Sequence, residues 1–131
     1  MKIEFHKLQA EIDEFAWNFK ISNQVDDWFE EERLSKVEAM AKADNADAQI
    51  FLAHTHLKGF HSLHEQKKFI QPDFVAAAQW AAKAASTGHA MGFAILFILN
   101  FKGLGVPKDR VKAVKWLVKL AELGIPEAQT L

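Results

Sequence analysis

The feature that most constrains the fold of this 131-residue chain is an internal repeat with a period of 36 residues. A period in the mid-thirties is typical of solenoids built from helix pairs, because one pair cannot bury its apolar face without a neighbour. The repeated positions begin at an aspartate and finish at a glycine. They are Asp73, Ala77, Trp80, Ala85 and Gly88, which return as Asp109, Ala113, Trp116, Ala121 and Gly124.

A second set of matches indicates that each repeat starts with another helix. These matches are separated by 44 residues rather than 36, so the loop after Gly59 contains an eight-residue insertion relative to the loop after Gly103. Each repeat is therefore predicted to be a helix, a loop and a second helix. The matching positions are Ala46, Leu52 and Gly59 with Ala90, Leu96 and Gly103.

Helical periodicity runs along the whole chain, whereas strand alternation is hard to find. Apolar residues between Phe5 and Phe19 recur at steps of three and four, which predicts an amphipathic first helix. A second helix is predicted from Trp28 to Met40. Four more helices are predicted: Ala46–Lys58, a helix that begins at Pro72 and Asp73, Ala90–Lys102, and a helix that begins at Pro107 and Asp109. Each ends at a glycine, which commonly terminates helices; in order, these are Gly59, Gly88, Gly103 and Gly124.

Composition excludes several classes of protein. The chain has no cysteine, so disulfides, thiolate metal sites and cysteine nucleophiles are all ruled out. Two arginines and a net charge of −1 argue against nucleic-acid binding. The most apolar run, residues 90–101, is shorter than the roughly 20 residues that span a bilayer. Residues 1–15 mix charges with apolar positions, unlike a signal peptide, and a cytoplasmic protein without membrane contact is expected.

Charge is distributed unevenly along the chain. Residues 1–45 contain 11 acids and 6 bases, whereas residues 46–131 contain 6 acids and 10 bases. Such polarity can orient a charged partner. The alternative explanation is that solvated helix faces simply differ in sign.

The repeated residues resemble the Sel-1-like repeat, a relative of the tetratricopeptide repeat. The similarity covers residues 46–131, two repeats and the opening of a third, and it implies an all-α, right-handed α-solenoid of antiparallel helix pairs. It also implies a protein-binding adaptor. The sequence departs from the family at His56 and Asn100, where a tyrosine is usual, and at Gly92-Phe93 in place of Ala-Gln. The motifs are Ala46-Asp47-Ala48-Gln49, Leu52 and Gly59 for the first helix, and Gly103-Leu104-Gly105-Val106, Asp109, Lys112-Ala113, Trp116, Ala121 and Gly124 for the loop and second helix.

This resemblance divides the chain into parts of a single domain, residues 1–131. Residues 1–45 are expected to be N-terminal capping helices, 46–89 the first repeat with its loop insertion, and 90–125 the second repeat. Residues 126–131 would begin a further repeat, because Glu127-Ala128-Gln129 restates Asp47-Ala48-Gln49. An outer face without its cap could stack on another copy of the chain, so a homo-oligomer through the C-terminal edge is one possible assembly.

The residues that could carry chemistry do not form a recognisable active site. His54, His56, His61 and His64 lie near Glu65 and could hold zinc, but His54 and His56 point apart on a helix. A polar loop beside a helix explains the cluster equally, and no metal or cofactor is predicted. The Gly103-Leu104-Gly105 run lacks the preceding strand and the lysine of a phosphate loop. The acidic run Glu30–Glu32 is expected to be exposed, which does not suit acid/base catalysis. No serine is placed with a histidine and an acid in a recognisable triad. The chain is therefore predicted not to be an enzyme.

Two surfaces are candidates for binding a partner. One is a lysine ridge along the sixth helix, which would suit an acidic protein; solvation of that face is the alternative. The other is the concave side, which the first helices of a solenoid line, although a helix as apolar as the fifth could instead be sandwiched between repeats. The candidate residues are Lys108, Lys112, Lys115 and Lys119 on the ridge, and Ile50, His54, Leu57, Ala94, Ile98 and Phe101 on the concave side.

These observations together predict a non-catalytic adaptor or scaffold that binds another protein. An immunity-type inhibitor that neutralises a toxin by binding it is an alternative within the same class. A self-assembling structural repeat protein is an alternative of a different class. A metal-dependent enzyme would rest on the histidine cluster alone.

Overall fold

The computed structural model describes residues 5–25, 28–29, 31–62 and 68–124. Six helices dominate these ranges, accompanied by three short strands. The helices are α1 (Phe5–Ser22), α2 (Glu31–Lys42), α3 (Ala46–Lys58), α4 (Phe74–Ser86), α5 (Ala90–Lys102) and α6 (Arg110–Glu122); the strands are β1 (Trp28–Phe29), β2 (Phe60–Ser62) and β3 (Lys68–Ile70). No helix within these ranges combines the length and the apolar character that a bilayer crossing requires.

The helices of the two repeats form where the sequence predicts them. The bounds of α3 and α5 coincide with the predicted ones. The second helices, α4 and α6, begin directly after Asp73 and Asp109. Each of these carboxylates accepts a 3.0 Å hydrogen bond from a backbone N–H in the first turn, that of Ala76 or Lys112, and so supplies an N-cap. Local chemistry therefore sets the start of each second helix.

The two helix pairs stack as a solenoid, with α3 against α4, α4 against α5, and α5 against α6. The same backbone bond closes both pairs: the amide of Asp73 donates to the carbonyl of His56 at 2.8 Å, and that of Asp109 donates to Asn100 at 2.9 Å. His56 and Asn100 therefore occupy equivalent positions, as their 44-residue spacing predicts. The all-α solenoid expected from the sequence is confirmed.

Helix α5 forms the centre of the main core. Every residue from Met91 to Asn100 is buried, and the predicted sandwiching of this helix between repeats is confirmed. Gly92 explains how α5 approaches α4 so closely: a Cβ there would lie 2.7 Å from the Ala85 amide nitrogen and 3.0 Å from the Ala81 carbonyl oxygen. The departure from the family's Ala-Gln pair thus removes a side chain at a helix crossing.

The N-terminal part and the loop insertion meet in a small sheet. Strand β1 pairs in parallel with β2, and β2 pairs antiparallel with β3. The predicted second helix is wrong at its start, because Trp28 and Phe29 form β1 and α2 begins at Glu31. The insertion after Gly59 contributes β2 and β3, which the helical periodicity did not predict. The sheet therefore fastens the chain before α2 to the first repeat.

A buried asparagine joins the helices of the second repeat. Asn100 is 3% exposed, and its Oδ1 accepts a 3.0 Å hydrogen bond from the indole N–H of Trp116 on α6. The indole also stacks on Phe93, with ring centroids 5.8 Å apart. An unpaired acceptor at this depth would carry its full desolvation cost, so the pair fixes how α6 packs on α5.

The loop before α6 rests on the start of α4. Gly105 has a φ of +70°, and a Cβ at this position would overlap the backbone carbonyl of Phe74. Gly88 has a similar φ of +86°, but a Cβ at this position would meet no atom within 4 Å. Both glycines therefore adopt a left-handed backbone, but only Gly105 lacks the space for a side chain.

We expect Gly105→Ala to lower the free energy of unfolding by about 3 kcal/mol or more, because left-handed strain adds to a backbone clash. The matched control, Gly88→Ala, should cost only about 1–2 kcal/mol, the cost of left-handed strain alone. Chemical denaturation of both variants measures the difference. Equal losses would show that the loop moves away from α4 without cost.

We also expect Trp116→Phe to cost about 1–3 kcal/mol more than Trp80→Phe, because only the former leaves the Asn100 side-chain oxygen unpaired. Trp80 is the equivalent residue one repeat earlier, where His56 replaces asparagine. Thermal and chemical unfolding of the two variants test this expectation. A smaller cost for Trp116→Phe than for Trp80→Phe would contradict it.

Candidate protein-interaction surfaces

Helix α1 packs against α3 and α5, the first helices of the two repeats. It therefore covers the face that these two helices form. Ile50 and Ala94 are 0% exposed and Ile98 is 5% exposed. The prediction that these three residues are open to a partner is therefore wrong, because Leu8 and Ile12 of α1 belong to the same buried cluster. His54, Leu57 and Phe101 remain partly exposed at the edge of this contact, and their role in binding stays a prediction.

Aromatic rings anchor the start and the end of α1. Phe5 stacks on Phe97 at 5.5 Å between centroids and contacts Phe101 at 5.0 Å. At the other end, Phe19 stacks on Phe51 of α3 at 4.8 Å. Such pairs contribute about 0.5–1.5 kcal/mol each beyond the area that they bury. Helix α1 is consequently an integral part of the core.

A histidine and a carboxylate join α1 to α3 between these aromatic contacts. Asp13 Oδ1 lies 2.8 Å from His54 Nε2 and 4.0 Å from Lys58 Nζ. Burial raises the pKa of Asp13, but hydrogen bonds from His54 and Gln9 and the charge of Lys58 lower it overall. Burial lowers the pKa of His54 and outweighs the opposing effect of Asp13. Near neutral pH, a neutral imidazole therefore donates to an ionised carboxylate.

A second histidine joins the N-termini of α3 and α5. His89 caps α5, because its Nδ1 accepts a hydrogen bond from the Met91 amide at 3.1 Å. That bond requires Nδ1 to be unprotonated, so the proton lies on Nε2, which is 2.8 Å from Asp47 Oδ1. Phe15 of α1 packs edge-on against the imidazole at 5.1 Å. His89 thus contacts all three helices through one ring.

The histidines singled out as potential zinc ligands do not converge where the structure describes them. His54 bonds to Asp13, whereas His56 lies edge-on to Phe60 at 6.1 Å, and burial lowers its pKa. Within the described ranges, no three histidine or acidic side chains are grouped closely enough to hold a metal ion. His64 and Glu65, like the side chain of His61, lie outside the described residues.

Three lysines of the predicted ridge lie on the outer face of α6, and the fourth, Lys108, lies in the loop just before the helix. All four lysines, Lys108, Lys112, Lys115 and Lys119, are exposed, and none forms a salt bridge within the described ranges. Lys119 Nζ also lies over the ring of Phe93, 5.8 Å from its centroid. Whether these lysines act together in binding a partner stays a prediction.

An apolar stripe that the sequence analysis missed lies beside these lysines. Val111, Val114 and Val118 are 70%, 40% and 44% exposed. Their spacing of three and four residues places them on one face of α6 and could have revealed the stripe. It was missed because such a spacing ordinarily marks the buried side of a helix, and here Ala113, Leu117 and Leu120 form that side.

The fold is an α-solenoid of helix pairs, and its candidate interaction surfaces lie on the outside of the described residues. The chain belongs to the Sel1 repeat family: the sequence model of the Sel1 repeat matches residues 46–89 and 90–125. Proteins of this family are generally protein–protein interaction modules and non-catalytic scaffolds. None of the curated proteins matches the chain significantly.

Two solved structures illustrate the similarity. A Sel1 repeat protein from Oxalobacter formigenes is 31% identical, with a TM-score of 0.64, over 75% of this chain and 26% of that protein. A protective antigen present in uropathogenic Escherichia coli strains, which displays an SLR fold, is 29% identical, with a TM-score of 0.61, over 73% of this chain and 19% of the antigen. The chain thus spans only a minor part of the length of either protein.

We expect the free energy of unfolding to fall as the pH decreases from about 7.5 to about 5.5. The pKa of His54 is lower in the folded protein than the ordinary value of about 6.5, so the unfolded chain takes up the proton first and is favoured by acidification. His54→Asn should show a smaller loss over the same range. Denaturation curves at the two pH values measure this, and an unchanged pH dependence in the variant would exclude a contribution from His54.

Proposed function

We propose that this protein is a non-catalytic adaptor that binds an acidic protein through the outer face of α6. The observation that carries the proposal is that three exposed lysines share α6 with an exposed valine stripe, while a fourth, Lys108, lies just before the helix. The general role of the Sel1 repeat family as an interaction module supports it. The absence of cysteine suits a reducing compartment such as the cytoplasm, where we place the protein.

The two parts of this surface would contribute differently to binding. Lysines at the rim of an interface accelerate association with a partner of opposite charge, and this effect weakens with salt. The valines offer apolar area, and full burial of such a side chain contributes about 1.5–3 kcal/mol. Val111 and Val118 are seven residues, about two helical turns, apart on the same face of α6, so they can contact the same element of a partner.

The same surface would serve an immunity-type inhibitor, in which the acidic partner is a toxin. The identity of the captured protein separates this variant from a general scaffold. Self-assembly through the C-terminal edge would instead give a molecular mass that increases with concentration in light scattering.

The Lys112→Glu/Lys115→Glu variant should lose its partner in affinity capture from the native cell, with at least about a tenfold reduction in affinity for the isolated complex. Lys42→Glu/Lys83→Glu is the matched control, because it makes the same charge change on α2 and α4. The wild-type partner is identified by mass spectrometry, and titration calorimetry with the purified partner compares the variants.

Both variants must show wild-type helicity by circular dichroism before capture is compared; the control removes a favourable charge from the last turns of α2 and α4, so a slightly lower melting temperature is expected for it. Capture retained by the ridge variant, or lost equally in the control, would refute binding at α6. Recovery of only the protein itself would favour self-assembly.

A further inference from the structure

A cleft of about 430 Å³ opens between α1, the C-terminal part of α2 and the start of α3. None of its lining residues belongs to α6, so the cleft is separate from the lysine ridge. The lining combines an apolar floor with neutral polar groups and one carboxylate. Its members are Phe15, Asn18, Phe19, Ser22, Asn23, Met40, Asn45 and Asp47.

Backbone hydrogen bonds determine what two of the asparagines can offer a ligand. Asn23 donates one Nδ2 N–H to the carbonyl of Phe19 at 2.9 Å, which leaves Oδ1 as an acceptor and the other N–H as a donor. Asn45 caps α3 by accepting the Ala48 amide on Oδ1 at 3.0 Å, which leaves the two N–H groups of Nδ2 as donors. The cleft therefore carries a fixed acceptor and a fixed donor, the two groups that an extended peptide backbone requires.

The charge of the cleft is negative. Asp47 accepts from the neutral His89 through Oδ1, and its side chain remains 63% exposed, so Oδ2 is available to a ligand. Among the residues that the structure describes, no lysine, arginine or histidine lines the cleft. A cationic group is therefore the complement of the carboxylate.

The floor favours a ligand with an apolar part. Phe15, Phe19 and Met40 provide aromatic and thioether surface, and Met adapts its shape to varied partners. The methylene stem of a lysine or arginine can lie along such a surface while its charged end reaches the carboxylate. A free metal ion or a small anion would use neither the floor nor the paired donor and acceptor.

We propose that this cleft binds an extended, cationic peptide segment of a partner protein. The segment places its backbone between Asn23 and Asn45 and a basic side chain against Asp47. The protein then carries two sites of opposite charge preference on different helices, one for a basic segment at the cleft and one for an acidic surface at α6. This arrangement would allow it to connect two different partners.

The test is an NMR titration of the isotope-labelled full chain with the peptide acetyl-Ala-Lys-Leu-Lys-Ala-amide. We expect saturating shift changes in the side-chain amides of Asn18, Asn23 and Asn45 and in the backbone amide of Asp47, with a Kd below about 1 mM. The peptide with both lysines replaced by glutamate should not bind. Shifts that do not saturate, or that lie mainly outside the cleft, would overturn the proposal.

Two substitutions separate the cleft from general electrostatic attraction. Asp47→Asn keeps an acceptor for His89 but removes the charge, and should weaken peptide binding at least about fivefold. Asp44→Asn removes the same charge from an exposed position nearby that does not line the cleft, and should leave the affinity unchanged. Equal weakening by both variants would overturn the site.

A further arm tests whether the peptide backbone is recognised. Butylamine supplies the cation and the apolar stem alone, so equal affinity for butylamine would exclude a peptide site. The Lys112→Glu/Lys115→Glu variant should bind the peptide as the wild type does. A variant that loses its partner at α6 but still binds the peptide would show that the two sites act independently. The cleft is therefore tested by the peptide titration, and the α6 surface by the capture experiment.

Discussion

The structure depends on the enclosure of α5. An unbroken run of ten residues in this helix is buried, which requires contacts on all of its sides. The neighbouring helices α4 and α6 supply two of these contacts, and α1 supplies the third. Gly92 permits the close approach on one side, while Asn100 presents the helix's buried polar group to Trp116 on the other. A helix that is apolar all round can persist in water only under these conditions.

The position of α1 removes one surface of the solenoid from contact with a partner. In a solenoid of helix pairs, the first helices provide one continuous surface, but here α1 covers the part formed by α3 and α5. The aromatic contacts at its two ends and the Asp13–His54 bond between them make this cover part of the core. The two proposed binding surfaces, the outer side of α6 and the cleft where α1 meets the first repeat, lie outside this covered part and differ in charge.

The sequence predicts the repeat architecture well because the relevant information is local. Asp73 and Asp109 start their helices through bonds to residues three positions away, and the 36-residue spacing identifies the equivalent positions. The placement of α1 could not be predicted, because it depends on contacts such as Phe5 with Phe97, which lie far apart in sequence. The strands were missed because they contain only two or three residues each. The prediction that Ile50, Ala94 and Ile98 contact a partner was wrong for the same reason that the placement of α1 could not be predicted. No local sequence pattern indicates that α1 covers these residues.

The separation between Phe5 and Phe97 also has a consequence for the order in which the protein forms. Helix pairs α3–α4 and α5–α6 close through neighbouring segments, whereas α1 can complete its contacts only after α5 exists. During synthesis, α1 leaves the ribosome before α5 and can first pack against α3. The part of its apolar surface that faces α5, around Phe5, has no final partner until α5 follows. This interval is the stage at which the nascent chain is most vulnerable to aggregation and to binding by chaperones.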